Sequence, residues 1–586
     1  MMEENRIEDV LSFPILLSER IRNSVSEAGT FQADCTELGK QADRLSQMLR
    51  SSVRLSTAAG AAFYDRPARR IAADLSKNLD RALTLVRKCK GRSVLRRVVT
   101  IVTQADFRKI QNLLESSIAD MNWLLSIYDK DSIVLSLPPI ASNDPILSWV
   151  WSFIASIHLG QLNDRIEAAN ELASLARDND RNKKMIVEEG GVPPLLKLLK
   201  ENSSQEAQIA AAIALFNLSD DQERVQLIVD ELGIPIIVQI LGDSPMRVQI
   251  RVANLVSRMA EHDNVAKEEF ARENAIRPLV TLLSFEPFMD DPYQKPQSIH
   301  SIVQISKEKE MNSNHRSHLS QHRKEREKET VEVKHELKTS CAEALWKLAK
   351  GSVSNSRRIT ETKGLLCLAK LIEKEKGELQ FNCLMALMEI TAAAESNADL
   401  RRAAFKTNSP AAKAAVDQLL NIVNDSDNPS LQIAAIKSIG SLAHTFPARE
   451  TRVISPLVKQ LGHRNQDVAT EATISLVKFA CPENFLCMEH SKTVIEFNGV
   501  PPLMKLLRGG ERTQLHGLVL LCYLAINVGN SEALEQARVL NALEGAERTV
   551  AAQYPELKEL VSKAIYHLNL YHAGALPHRQ SYNNIP

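Results

Sequence analysis

The chain has 586 residues, and its 72 basic and 72 acidic side chains give a formal net charge of zero at pH 7. That balance excludes a global electrostatic attraction to nucleic acid or membrane. Apolar residues make up 44% and aromatics only 5%, so Leu, Ala and Ile must supply the core, which suits helix-on-helix packing better than a sheet sandwich.

Residues 1–130 read as a bundle of four amphipathic helices at about 6–27, 31–59, 67–90 and 105–127. Leu38, Leu45, Met48, Leu49 and Val53 make one apolar stripe. Ile71, Leu75, Leu79, Leu83 and Val86 make the next, and Leu113, Leu114, Ile118, Met121 and Leu125 the last. Short connections imply antiparallel neighbours. Residues 131–161 form a linker, with Ser136-Leu137-Pro138-Pro139-Ile140, and a helix from about Asp144 to Leu159. That helix carries Trp149 and Trp151 and is expected to cap the open end of a helical array that starts at Leu162.

The stretch Leu162–Lys200 is a repeat unit. Ile166, Ala169, Leu172, Ala173 and Ala176 share one helical face. Asp178-Asn179-Asp180 breaks the pattern, a short helix comes next, and Gly190-Gly191 stops it with a left-handed cap. Pro193-Pro194 opens a helix with Leu195, Leu196, Leu198 and Leu199 on a wide apolar stripe. Counterparts of Gly191 fall at Gly233, Ala275, Gly364, Ala415, Val453, Gly499 and roughly Leu540. A period near 42 with three helices per unit marks armadillo or HEAT arrays, and the Gly-x-Pro signal favours armadillo. The expected fold is all-α: an N-terminal four-helix bundle, then an armadillo-type right-handed superhelical solenoid. Repeats one to three occupy 162–284 and repeats four to eight occupy 334–572. Between them, residues 285–333 contain KEKEMNSNHRSHLSQHRKEREKE, a composition expected to stay disordered. The tail 573–586 is expected to do the same.

The eight scattered cysteines include no C-x-x-C pair and read as small buried apolar residues in a reducing compartment. No apolar run reaches the ~18 residues of a membrane span. The acidic start MMEENRIEDVLSFPILL does not suit a signal peptide. A soluble intracellular protein is expected. His315, His318 and His322 have a spacing compatible with one helical face, but their polar surroundings offer no rigid ligand shell. No nucleophile elbow, phosphate loop, dinucleotide fingerprint or metal motif is present, so no catalytic residue, metal, cofactor, small-molecule substrate or nucleic acid is assigned.

Two charge patterns bear on partners. Between Arg66 and Lys109, 13 basic residues face three acids. Arg87, Lys88, Lys90, Arg92, Arg96 and Arg97 form its densest part. The readings are a solvated bundle face, or a site for anionic lipid or an acidic partner. The second pattern lies on the third helices. In armadillo-type nuclear-import adaptors this helix carries a Trp and, four residues on, an Asn that clamp a basic peptide. Here the Trp-like positions hold Asn170, Ile213, Asn254, Glu343, Met385, Lys437, Ile474 and Val519. The Asn-like positions hold Ser174, Asn217, Arg258, Lys347, Glu389, Ser441, Lys478 and Tyr523. Only Asn217 matches, so import-signal binding by that mechanism is not expected. The candidate groove residues are Asn217, Arg258, Lys347, Lys437, Lys478 and Tyr523, and the cations suit an acidic or mixed-charge partner.

Several stretches resemble the plant armadillo-repeat-only family. They are YDRPARRIAADLSKNLDRALTLVRKCK (64–90), FRKIQNLLESSIADMNWLL (107–125), LPPIASNDPIL (137–147) and LASLARDNDRNKKMIVEEGGVPPLLKLLK (172–200). Further on come LWKLAKGSVSNSRRITETKGLLCLAKLIEK (345–374), FNCLMALMEITAAAE (381–395), KSIGSLAHTFPARETRVISPLVKQL (437–461) and VKFACPENFLCMEHSKTVI (477–495). The resemblance covers nearly the whole chain, including the N-terminal bundle. It implies a non-enzymatic scaffold in polarised tip growth, linked to Rho-type small GTPase signalling and the cytoskeleton. The implied location is cytoplasmic, with enrichment at the cell periphery. The rival reading is a nuclear or ubiquitin-pathway adaptor.

Overall fold

The computed structural model describes residues 6–59, 63–90, 102–128, 138–142, 144–284, 329–406, 408–447 and 451–572. Among them every regular element is helical, and the one β-type contact is an isolated bridge between Ala28 and Lys90. The charged stretch 285–328, with His315, His318 and His322, and the tail 573–586 lie outside the described residues, as do Arg92, Arg96 and Arg97. The chain divides into two compact units, Met1–Ile240 and Leu241–Pro586.

The N-terminal unit begins with four helices: α1 (Ile7–Val25), α2 (Gln32–Ala59), α3 (Asp65–Lys88) and α4 (Gln104–Ser126). α1 packs on α2 and α3, and both of these pack on α4. The periodicity explains the arrangement. Ile71, Leu75, Leu79, Leu83 and Val86 recur every three or four residues along α3, and all five are buried. Each contributes roughly 1.5–3 kcal/mol of transfer free energy.

Asp120 on α4 is a buried exception, 4% exposed. Its Oδ1 accepts the Ile140 N–H at 2.8 Å and so ties the turn Pro139–Ala141 to the bundle. Burial, with a smaller push from Asp74, raises its carboxyl to about 6 despite that hydrogen bond. The native state therefore holds this proton more tightly than the unfolded chain does. The resulting stabilisation is complete below the unfolded value of about 4 and is lost as pH rises through about 6. Asp120→Asn keeps an acceptor for Ile140 without the buried charge. It is expected to raise stability at pH 7.5 by about 1–3 kcal/mol and to change nothing at pH 4. Thermal melts at the two pH values check this, and equal gains at both would refute it.

Helix α5 (Pro145–Leu159) packs on α6 (Leu162–Ala176), α7 (Asp180–Glu188) and α8 (Val192–Leu199). At this junction the four-helix module meets the first repeat through Glu189, whose side chain is 2% exposed. Its Oε2 accepts the Trp151 indole N–H at 2.7 Å, and its Oε1 pairs with Arg70 of α3. Its main-chain oxygen accepts the Tyr64 hydroxyl at 2.9 Å. Around it, the Trp151 ring lies 5.7 Å from Trp123, and Tyr64 stacks on His158 at 5.8 Å. Burial, helped by Lys197, lowers His158 to about 4, so it enters the stack as a neutral ring.

The chain continues with α9 (Gln205–Leu218), α10 (Gln222–Asp230) and α11 (Gly233–Asp243), within which the first unit ends at Ile240. Each repeat thus has a short first helix, a second helix and a longer third helix; α6 and α9 are third helices, packed side by side. The turn between first and second helices shows why glycine is used there. Gly190 takes the left-handed conformation, φ +80°. Gly191 does not: its φ is −73°, and it is small because a Cβ would meet Ile186 Cγ2 at 2.8 Å. Only the first glycine of the pair is thus a left-handed cap. The left-handed position recurs at Leu232, Asn274, Lys363, Asn498 and Arg538.

The C-terminal unit repeats the plan except between Ser441 and Gln466, where two 3-10 turns, Ala443–Thr445 and Thr451–Val453, precede a single α-helix. The unit's third helices are α12 (Met246–His262), α15 (Val331–Ala349), α18 (Glu378–Ser396), α21 (Pro429–Ser441), α23 (Gln466–Ala480), α26 (Glu511–Asn527) and α29 (Pro555–His572), each packed on the next. Between them lie α13 (Asn264–Arg272), α14 (Ile276–Leu283), α16 (Val353–Glu361), α17 (Gly364–Lys374), α19 (Ala398–Ala404) and α20 (Pro410–Asp425). Then come α22 (Ile454–Gln460), α24 (Cys487–Glu496), α25 (Val500–Leu506), α27 (Glu532–Gln536) and α28 (Val539–Gln553).

Buried amides join successive helices within and between repeats. Gln208, Gln249 and Gln380, near the starts of third helices, donate to Leu199 O, Leu241 O and Ile372 O at 2.8–3.1 Å. Asn182 and Asn355, in first helices, donate to Leu175 O and Leu348 O at 3.0 Å. Both sets satisfy carbonyls that a helix end leaves without a partner.

Three expectations change. α15 starts at Val331 and takes in the last three residues of the segment expected to be disordered, because Thr330 caps it through the Val333 N–H. Ala415 does not mark a break between helices. It lies within α20, which Ser409 and Pro410 start as one helix. The last repeat turns at Arg538, so the counterpart of Gly191 is Val539 and not Leu540.

Candidate protein-binding face

The sequence-derived groove residues all lie on third helices. Asn217 donates through Nδ2 to Ala173 O of α6 at 2.8 Å, so its amide is committed to the preceding third helix. Asn527 does the same to Ala480 O at 2.8 Å. Asn527 stands four residues before Ser531, the N-cap of α27, as Asn217 stands four before Asp221, the N-cap of α10. The residue equivalent to Asn217 is therefore Asn527. Tyr523, assigned to that position from the sequence, sits one turn earlier and is half-buried. Burial raises its hydroxyl above the ordinary range.

The cations expected to face an acidic partner are matched within the chain. Lys347 Nζ lies 2.6 Å from Glu261 Oε1, with its side chain 10% exposed, and 4.2 Å above the Trp346 ring. Lys478 pairs with Glu395 at 2.8 Å. Lys437 lies 4.0 Å from Glu471, whose own carboxyl is pushed up by burial although Lys437 draws it down. Arg258 is half-buried on α12. Spacing identified these cations, but a sequence places no acid beside a base 80 residues away.

The third-helix face of the N-terminal unit is different. Asn163, Glu167, Asn170 and Glu171 are exposed on α6. With Ile166 and Glu206 of α9 they border an open cavity of about 510 Å³. Glu206 accepts the Ser204 hydroxyl at 3.1 Å. The four α6 side chains carry no hydrogen bond or ion pair among the described residues. Two amides and two carboxylates at successive turns can bond a peptide main chain in both senses and attract basic side chains.

In the basic segment, Arg87 and Lys88 are exposed at the end of α3. Lys90 pairs with Glu27, Arg69 with Asp65 at 2.7 Å, and Arg70 with the buried Glu189. Sequence reasoning counted Arg70 as a surface charge and missed Glu189. The position of Glu189 offers no warning, since Glu231 and Glu273 occupy it in the next two repeats and are exposed. The sequence reading also missed the neighbouring thiols of Cys35 and Cys89, both buried and free. Burial and the adjoining Cys89 push Cys35 up to about 12, which suits inert packing groups. Among the described residues no cluster of side chains suits a metal ion, and no single helix is long and apolar enough to cross a membrane.

Comparison with known proteins gives two family matches and several similar structures. Residues 8–129 match a family described as a domain of unknown function, DUF7792. No curated protein matches. Among solved structures, an engineered protein from a structural genomics programme is 21% identical, with a TM-score of 0.46; the match covers 72% of this chain and 99% of that one. A designed armadillo repeat protein is 18% identical, with a TM-score of 0.37 and coverage of 50% and 98%. A computationally designed armadillo repeat protein for modular peptide recognition is 18% identical, with a TM-score of 0.34 and coverage of 57% and 99%. Residues 179–220 match the armadillo/beta-catenin-like repeat, and the three-helix units described above are of that type.

Proposed function

We propose that the chain is a non-enzymatic protein-interaction scaffold that holds a basic or mixed-charge partner segment along the third-helix face of residues 162–218. The supporting observation is the exposed set Asn163, Glu167, Asn170 and Glu171, which has no partner among the described residues and borders an open cavity. The apolar sides of the same helices are consumed by stacking, with Ala168, Ala169, Leu172, Ala173 and Ala176 buried, so these polar groups are what α6 offers to another molecule. The sequence points to an acidic or mixed-charge partner; the preference moves toward basic or mixed charge because Lys347, Lys437 and Lys478 already have carboxylates beside them.

The resemblance to the plant armadillo-repeat-only family supports placing this scaffold in polarised tip growth. There it would gather Rho-type GTPase regulators or cytoskeletal proteins near the cell periphery. Proximity labelling in root hairs or pollen tubes tests both parts, using the natural chain and a Glu167→Lys/Glu171→Lys variant. The expected result is labelling of GTPase regulators or cytoskeletal proteins, reduced at least ~10-fold in the variant. Labelling of neither class would contradict the placement in tip growth. A predominantly nuclear or ubiquitin-pathway set would favour the adaptor reading. An unchanged set in the variant would contradict the assigned face.

A further inference from the structure

A second recessed surface lies within the C-terminal unit. It is a cavity of about 390 Å³ formed by α14, α17 and the first half of α15. Its base is apolar, with Val280, Leu283 and Leu371 all buried. Lys338, Lys363, Lys370 and Lys374 also line it, and no carboxylate does. Lys363 occupies the left-handed position, φ +65°, that Gly190, Asn274 and Asn498 fill in other repeats. Nothing in the turn requires a lysine there, and its effect is to place a cation at the mouth.

We propose that this cavity is a docking site for an acidic linear segment of a partner protein that inserts one aromatic or large aliphatic side chain. The apolar base gains from burying such a side chain. Lysine stems can line the walls while their ammonium groups stay at the rim. Four cations with no lining acid select against basic segments as strongly as they favour acidic ones. No aromatic residue lines the cavity, so a nucleic-acid base would find no stacking platform. The site is independent of the third-helix face, which takes the opposite charge.

The test uses the full chain and a fluorescein-labelled peptide of alternating Asp and Glu around one Phe and one Leu, with its Asn/Gln counterpart as control. Fluorescence anisotropy is expected to show binding of the acidic peptide only, weakening as NaCl rises from 50 to 300 mM. Lys363→Asn/Lys370→Gln is expected to weaken it at least ~10-fold. Asn is chosen because the turn accepts it elsewhere. Thr281→Trp, an exposed rim position, is expected to block entry to the same extent, while Lys200→Gln has no effect. The proposal is overturned by absence of binding, by equal binding of the Asn/Gln peptide, or by variants that bind like the natural chain. It is also overturned if binding requires deletion of residues 286–327, which would make this chain's own segment the occupant.

Discussion

Glu189→Ala is expected to destabilise the N-terminal unit by about 2–4 kcal/mol and to loosen the four-helix module from the first repeat. The substitution leaves the buried Trp151 indole N–H without an acceptor and removes the carboxylate that faces Arg70. An orphaned buried donor alone costs about 1–3 kcal/mol. The Arg70 side chain is half exposed, so its pairing adds less than a buried pair would. Arg70→Gln is therefore expected to cost only about 0.5–1 kcal/mol, and Glu189→Gln, which keeps an acceptor for Trp151, an intermediate amount. Thermal melting followed by Trp emission reads both stability and the environment of Trp123 and Trp151. If Glu189→Ala melts like the natural chain with unshifted emission, Glu189 does not hold the junction.

Leu196→Asp is expected to be more severe, at about 4–5 kcal/mol. Leu196 is 2% exposed. Its Cδ2 lies 3.3 Å from where a Cβ on Gly233 would sit, so it packs against the corresponding turn of the next repeat. The substitution removes an apolar contact and buries a carboxylate with no partner. At roughly 2–4 °C per kcal/mol for a unit of this size, the melting temperature should fall by about 10–15 °C. Leu196→Met, nearly volume-conserving, should cost under about 1.5 kcal/mol. If the Asp variant melts within about 2 °C of the natural chain, the register of α8 is wrong.

The helices and their stacking were legible in the sequence because local rules set them. The expected helices at 31–59 and 105–127 compare with α2 at Gln32–Ala59 and α4 at Gln104–Ser126. Their apolar periodicity and flanking polar residues act within a few positions. The repeat turns were legible through Gly190-Gly191 and Pro193-Pro194, although Lys363 and Arg538 fill the left-handed position without any glycine signal. The site was less legible, for a physical reason. Whether a charged side chain is available depends on what lies opposite it. Lys347 with Glu261, Lys478 with Glu395 and Arg70 with Glu189 are all pairs between residues more than 80 apart. The register slip at Tyr523 has a similar origin: α26 runs a turn beyond that residue, and only the N-cap at Ser531 shows where the Asn position falls.

Site-specific photo-crosslinking in living cells tests whether a partner lies along the third-helix face of the first repeats. A benzophenone side chain is placed at Asn170, on that face, and in a second chain at Lys184, exposed on the first helix α7. Covalent adducts with a recurrent partner from position 170, and none from 184, are predicted. Adducts from 184 with none from 170 would place the partner elsewhere and rule out the third-helix face.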